Sequence, residues 1–252
     1  MSNISYEDLS INIVNTPGYG SELKDNPVLL AQLDELMNLG VNVNILMNGN
    51  TENEISARKN LRVKKIPERV VLGKARYILH DFTKTTWYIN IDEDDSFMPI
   101  QSWIHDLIRS LELVNTATAF YKYQVVWADK TQTLPENTNK LMCNSPIDPK
   151  YTQVNCGAIY NKTRLGKRFC RPYMNLSEDD IFYMYLCSEY KFTTFINLEI
   201  QRYNRTLSTM SKDSYDKDKY DSNDPLTIVT EFGYYGFRMF LVKIIQDRKS
   251  VV

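Results

Sequence analysis

Three short apolar runs, at residues 11–14, 41–47 and 87–91, each end abruptly in polar, turn-forming sequence, with helical stretches between them. This alternation constrains the fold more than any other feature of the chain. Strand–helix–strand order with short connections predicts a mainly parallel sheet flanked by helices, an α/β architecture, because parallel neighbours need a crossover between them. The first run stops at Asn15-Thr16-Pro17-Gly18-Tyr19-Gly20. Asn26-Pro27 then opens a helix in which Val28, Leu29, Leu30, Leu33, Leu36 and Met37 recur at helical spacing, and Gly40 closes it. The second run ends at Asn48-Gly49-Asn50-Thr51; a less regular basic stretch follows, and residues 73–80 read as the next helix. Ligands of such sheets gather at the carboxyl ends of the strands. Thr16, Asn48 and the residues that end the third run are therefore expected to converge on one crevice.

That third run ends in four consecutive acids, Asp92-Glu93-Asp94-Asp95. Successive strand side chains point to opposite faces, so Asp92 and Asp94 share one side of the strand's mouth. Carboxylates held that closely repel unless a cation lies between them. Oxygen-only ligation suits a hard divalent ion such as Mg2+ or Mn2+, which commonly bridges protein to a substrate phosphate. A solvated acidic turn is the competing reading. The apolar strand in front and the return to Phe97-Met98-Pro99 favour a site.

Beyond the acids, residues 100–114 form an amphipathic helix carrying Ile104, Leu107, Ile108 and Leu111, and residues 118–126 a strand. Residues 129–151 read as a long loop. The small-residue strand at 154–160 would let a ligand approach closely. Ser177-Glu178-Asp179-Asp180 has the form of a helix start, a hydroxyl cap followed by acids, with the helix reaching about residue 187. Residues 192–198 form another strand, 212–225 a mobile loop and 234–245 a last helix.

With 252 residues the chain can bury a real core as one large or two small domains. Nothing approaches the ~18 consecutive apolar residues of a membrane span, and the first residues lack a secretory pattern. Cys143, Cys156, Cys170 and Cys187 are widely spaced with no histidine nearby, so reduced thiols in a cytoplasmic protein are expected. A net charge of −1 conceals segregation: residues 58–76 hold eight cations against Glu68 alone. Lys162, Arg164, Lys167, Arg168 and Arg171 form a second basic run without an acid. Such runs suit an anionic partner, and solvated faces equally.

The order of these features resembles the GT-A glycosyltransferases, most closely the family 2 type, over residues 10–211. Asn48-Gly49-Asn50-Thr51 is similar to the family's Asp-Gly-Ser-Thr, and Gly73-Lys74-Ala75-Arg76 to its Gly-x-x-x-Ala-Arg. Asp92-Glu93-Asp94-Asp95 matches its Asp-x-Asp-Asp, and Glu178-Asp179-Asp180 its acidic catalytic motif. The resemblance implies a single Rossmann-like GT-A domain over residues 1–252. Residues 10–126 would bind a nucleotide-sugar and residues 127–211 would form an irregular acceptor half, followed by the mobile loop and C-terminal helix. Asp92 and Asp94 would face the diphosphate, Asp94 touching the Mn2+ or Mg2+, with Asp95 beside the sugar. Arg76, Thr16 and Asn48 would line the donor. Asp179 or Asp180, beside Glu178, would take the acceptor's proton, and transfer would invert the anomeric centre.

Several departures matter. Asn48 stands near where the family places a base-reading aspartate, and Tyr203-Asn204-Arg205-Thr206 lacks the family's late histidine. His80 and His105 read as core or surface residues. Gln-x-x-Arg-Trp, the mark of processive synthases, is absent, which favours transfer of one sugar. The acceptor would be a glycan or a hydroxymethylated base in DNA, as in phage-type modification, with Lys162, Arg164, Lys167 and Arg168 holding phosphates. Two alternatives are a sugar-1-phosphate nucleotidylyltransferase, whose Gly-x-Gly-Thr-Arg loop is missing, and a non-catalytic nucleotide- or nucleic-acid-binding module.

Overall fold

Alternation along the first strand decides which helix packs on which face. A computed structural model of the chain describes residues 4–16, 23–49, 58–70, 72–134, 145–146, 157–166 and 192–204. Strand β1 (Leu9–Asn15) is central, pairing in parallel with β2 (Asn42–Asn48) on one side and β4 (Trp87–Asp92) on the other. Its odd-numbered Leu9, Ile11 and Ile13 are fully buried with Val43, Ile45, Ile89 and Ile91. The same cluster takes Leu29, Leu33 and Leu36 from helix α1 (Pro27–Asn38) and Ile104, Leu107 and Leu111 from helix α3 (Ile104–Leu111). The opposite face receives helix α2 (Leu72–Phe82), whose Ala75 and Leu79 pack with Leu46 and Val14.

That second face is polar in its middle. The register aligns Asn12 with Asn44 and with Asn90, a row of three buried asparagines across the central strands. The Asn44 amide donates to Asn12 Oδ1 at 2.9 Å, and the Asn12 amide donates to the Thr83 hydroxyl at 2.9 Å. A one-residue slip would send these amides into the aliphatic layer around α1 and α3, so the row helps to pin the register.

The sheet order is β3-β2-β1-β4-β9-β6-β10-β5. Edge strand β3 (Leu61–Ile66) falls in the basic stretch that reads as irregular from sequence. Strand β6 (Thr118–Val126) forms as expected. Strand β9 (Ala158–Asn161) runs antiparallel between β4 and β6. Strand β10 (Phe192–Asn204) is longer than expected, pairing in parallel with β6 and antiparallel with β5 (Ser96–Phe97). Short β7 (Thr131–Leu134) and β8 (Ser145–Pro146) lie within the expected long loop. Strands β3, β2, β1, β4, β6 and β10 all point one way, so the mainly parallel, helix-flanked sheet is borne out. The expected helix at 100–114 is instead a 3-10 turn (Ile100–Ser102) followed by α3. Among the described residues no helix is long and apolar enough to cross a membrane. The four cysteines and the expected elements at 177–187, 212–225 and 234–245 lie outside the described residues.

Candidate active site

The carboxyl ends of β1, β2 and β4 lie on one edge of the sheet, with Val14 level with Asp92 and Asn15 level with Met47. The convergence expected of Thr16, Asn48 and the acids is therefore real. The Asn48 amide donates to the Thr16 hydroxyl at 3.3 Å, and the Thr16 backbone N–H donates to Glu93 Oε2 at 3.0 Å. The remaining capacity of Asn48 is spent on backbone: Oδ1 accepts from Val70 N–H at 2.9 Å and Nδ2 donates to Val70 O at 3.0 Å. Asn48 is buried and works here as a clamp on the segment entering α2.

Helix α1 moulds the acidic turn. Asn26 caps that helix, its Oδ1 accepting from Leu29 N–H at 3.0 Å. The same amide donates to the carbonyls of Glu93 at 3.1 Å and Asp95 at 2.7 Å. One turn and a half further on, Gln32 donates to Phe97 O at 2.8 Å and accepts from Phe97 N–H at 2.9 Å. Four hydrogen bonds from two side chains thus fix the backbone that presents the carboxylates. Neither residue stands out in the sequence, where Asn26 reads only as a cap.

The four acids divide their work. Asp95 is buried, and its Oδ1 accepts the Asn204 backbone N–H at 2.8 Å, so it ties the turn to the end of β10. Asp92 meets Arg76, a buried α2 side chain whose Nη2 lies 3.1 Å from Asp92 Oδ1. Glu93 reaches back to β1 through Thr16. At Asp94, burial first, and the Asp92 carboxylate second, push the pKa up to about 6. A carboxylate half out of water beside a second one is a site that gains from a divalent cation. The oxygen-only donor set of Asp94 and Asp92 fits Mn2+ or Mg2+. Among the described residues no group of three His, Cys, Asp or Glu could hold a metal, so this pair would need further ligands to complete the shell.

The basic residues are distributed differently from the sequence expectation. Strand β9 is antiparallel, with Asn161 opposite Trp87 at the start of β4, so Lys162 and Arg164 emerge at the amino edge of the sheet. Lys162 Nζ donates to the carbonyls of Asp81, at 3.0 Å, and Thr83, and Arg164 Nη2 donates to Asn115 Oδ1 at 2.7 Å. Five residue steps of strand put them about 16 Å from the acids. They are therefore not brought to an acceptor side of this cleft. In the small-residue strand expected at 154–160, of which 154–156 lie outside the described residues, Gly157 is packed against the Tyr123 ring. His80 is a core residue, bridging the Tyr88 hydroxyl at 2.9 Å and Gly166 O at 2.8 Å, and His105 is exposed. Glu178, Asp179, Asp180, Lys167 and Arg168 lie outside the described residues.

No family model and no curated relative matches the sequence. Solved structures do match. TarS 1–349 from S. aureus aligns with a TM-score of 0.61 at 13% identity, over 78% of this chain and 60% of that one. The same protein in complex with UDP-GlcNAc aligns with 0.61 at 13% identity, over 81% and 60%. The fold is GT-A. A longer TarS structure aligns with 0.59 at 13% identity, over 92% of this chain and 43% of that one. The chain thus spans about three fifths of the length of TarS 1–349. Likeness at this identity is one of fold and does not single out family 2. Within the GT-A frame, the acidic turn after β4 lies where ligands of a doubly wound sheet collect.

Proposed function

We propose that the carboxyl-edge crevice is the donor site of a metal-dependent, inverting glycosyltransferase. It would move one sugar from a nucleotide-sugar to an acceptor hydroxyl. The observation that carries this reading is the Asp92–Asp94 pair, held on a turn braced by α1, with Asp94 pushed up to about 6. Support also comes from solved complexes of a protein of this fold, TarS, with UDP and with UDP-GlcNAc.

Asp94 and Asp92 would hold Mn2+ or Mg2+, and such an ion, when bound, offsets charge on a departing diphosphate. Arg76 holds Asp92 in place and adds a buried positive charge beside the same region. Thr16, linked to Glu93, forms the β1 side of the crevice. The acceptor hydroxyl has a pKa far above neutral, so a carboxylate must receive its proton as it attacks. Asp179 or Asp180, with Glu178 adjacent, is proposed for that task, and attack opposite the leaving diphosphate inverts the anomeric carbon. The acceptor is a glycan or a hydroxymethylated base in DNA. With Lys162 and Arg164 at the far edge, Lys167 and Arg168 are proposed for acceptor contacts beside the reacting hydroxyl. Metal-dependent hydrolysis of one sugar from a panel of nucleotide-sugars tests the reading. Absence of hydrolysis and of binding for every donor, with either ion, overturns it.

A further inference from the structure

Acids gather at the carboxyl edge of the sheet, and cations gather at the amino edge. Helix α2 connects the two: Arg76 reaches Asp92, while the helix's last turn forms one wall of a groove of about 810 Å³. Among the described residues, Arg62, Lys64, Lys84 and Lys162 line this groove against a single carboxylate, Asp81. His80 also lines it and adds no charge. Its Nε2 must donate to the Gly166 carbonyl, its Nδ1 then accepts from Tyr88, and burial lowers its pKa.

Two of the cations are fixed before any ligand arrives. Arg62 Nη1 donates to Phe82 O at 2.9 Å, and its guanidinium lies 4.1 Å above the Phe82 ring centroid. Lys162 is tied to the Asp81 and Thr83 carbonyls. Both have a structural task, offsetting the negative end of α2. Lys64, whose Nζ is 5.7 Å above the same ring, and Lys84, exposed on the rim, are surplus to it. Burial depresses the Lys162 pKa; Asp81 opposes this, and the Arg62 charge adds to it. Like charges collected in a half-enclosed groove are costly in the free protein and favour an anion.

We propose that this amino-edge groove binds a phosphodiester chain. A single phosphate here would be remote from the acids, since about 16 Å of strand separates the two edges. A polymer spans that distance with about five units at ~3.4 Å per nucleotide. The proposal deepens the acceptor half of the function above by giving the acceptor a repeated phosphate. Binding in the groove, however, can be measured without any transfer.

The test is fluorescence anisotropy of a labelled single-stranded oligodeoxynucleotide across a salt series, with inorganic polyphosphate as competitor. Lys64→Ala with Lys84→Ala spares the Arg62 and Lys162 ties to α2, and a thermal melt checks that the fold survives. The wild type should bind with a steep salt dependence. The double variant should bind at least about tenfold more weakly, with a log–log slope shallower by about 1.4, two contacts at ~0.7 each. Equal competition by polyphosphate would mean that the phosphates alone are read; preference for DNA would identify a nucleic acid. No binding by the wild type, or an unchanged slope in the variant, overturns the proposal. So does equal weakening by Arg109→Ala with Lys130→Ala, exposed cations outside the groove. Donor binding and hydrolysis measured in parallel separate the two readings: absence of both for every donor, alongside groove binding, would refute the transferase and leave this site standing.

Discussion

Replacing Asp94 by Asn should make the chain more stable and inactive at once. The carboxyl is pushed up to about 6 from an ordinary value of 3.8 by burial and by Asp92. Each factor of ten in proton affinity is worth about 1.4 kcal/mol, so ionised Asp94 costs the native state about 3 kcal/mol. Solvent still reaching this half-buried group reduces that to about 2 kcal/mol. Because the folded-state pKa lies above the unfolded one, the native form retains the extra proton between about pH 4 and pH 6. The cost is absent below that window and complete above it. Asn is isosteric and uncharged, so Asp94→Asn should raise the melting temperature by roughly 4–8 °C at neutral pH, at ~2–4 °C per kcal/mol. The gain should fade as the pH approaches 4. Scanning calorimetry at several pH values measures it. Saturating Mn2+ should reverse the ranking, stabilising the wild type through binding to its native state and leaving the variant unmoved. A variant less stable than wild type at neutral pH, or one whose melting rises with Mn2+ as the wild type's does, would refute the reasoning.

Asp179→Asn or Asp180→Asn, whichever removes the base, should lower turnover by roughly 10²- to 10⁴-fold with donor affinity retained; wild-type turnover in both would place the base elsewhere. Asn26→Ser keeps a side-chain oxygen for the α1 cap but loses both donations to the Glu93 and Asp95 carbonyls. It should weaken Mn2+-dependent donor binding by about 1–2 kcal/mol, read by calorimetric titration, with a smaller fall in melting temperature than Asn26→Ala. Gly157→Ala should destabilise by about 2 kcal/mol or more, measured by denaturant titration. Its backbone φ is +83°, and an added Cβ would lie 2.6 Å from Tyr123 Cδ1.

Strands β1, β2, β4 and β6 and helix α1 were legible because their apolar residues repeat at the period of the element and end at turn chemistry. The acid cluster was legible for the same reason, as four charges closing a buried strand. Strand β3 was hidden because Leu61-Arg62-Val63-Lys64-Lys65-Ile66 is an edge strand, where cations replace core residues on one face. The reach of β10 to Asn204 depends on partners in β5 and β6 some eighty to a hundred residues away, which no local period encodes.

The basic run after β9 teaches a different lesson. A run's charge is visible in sequence, but the edge of the sheet on which it emerges depends on strand direction, and β9 runs backwards between two parallel neighbours. That reversal carries Lys162 away from the acids and into the far groove. The division of labour among the acids was equally hidden. Asp95 binds the β10 backbone and Asp92 binds Arg76, while burial and the Asp92 carboxylate push the Asp94 carboxyl up to about 6. The carboxyl-edge crevice was thus readable from sequence, while its bracing by Asn26 and Gln32 required the packed structure.

The central claim is that the turn after β4 binds a nucleotide diphosphate through a divalent cation. Isothermal titration of UDP into the chain, with Mn2+ and again with excess chelator, tests it most directly. Saturable binding with Mn2+ is expected, with at least a tenfold loss in chelator and no binding to Asp94→Asn under either condition. Equal UDP affinity with metal and chelator, or undiminished affinity in Asp94→Asn, would contradict it.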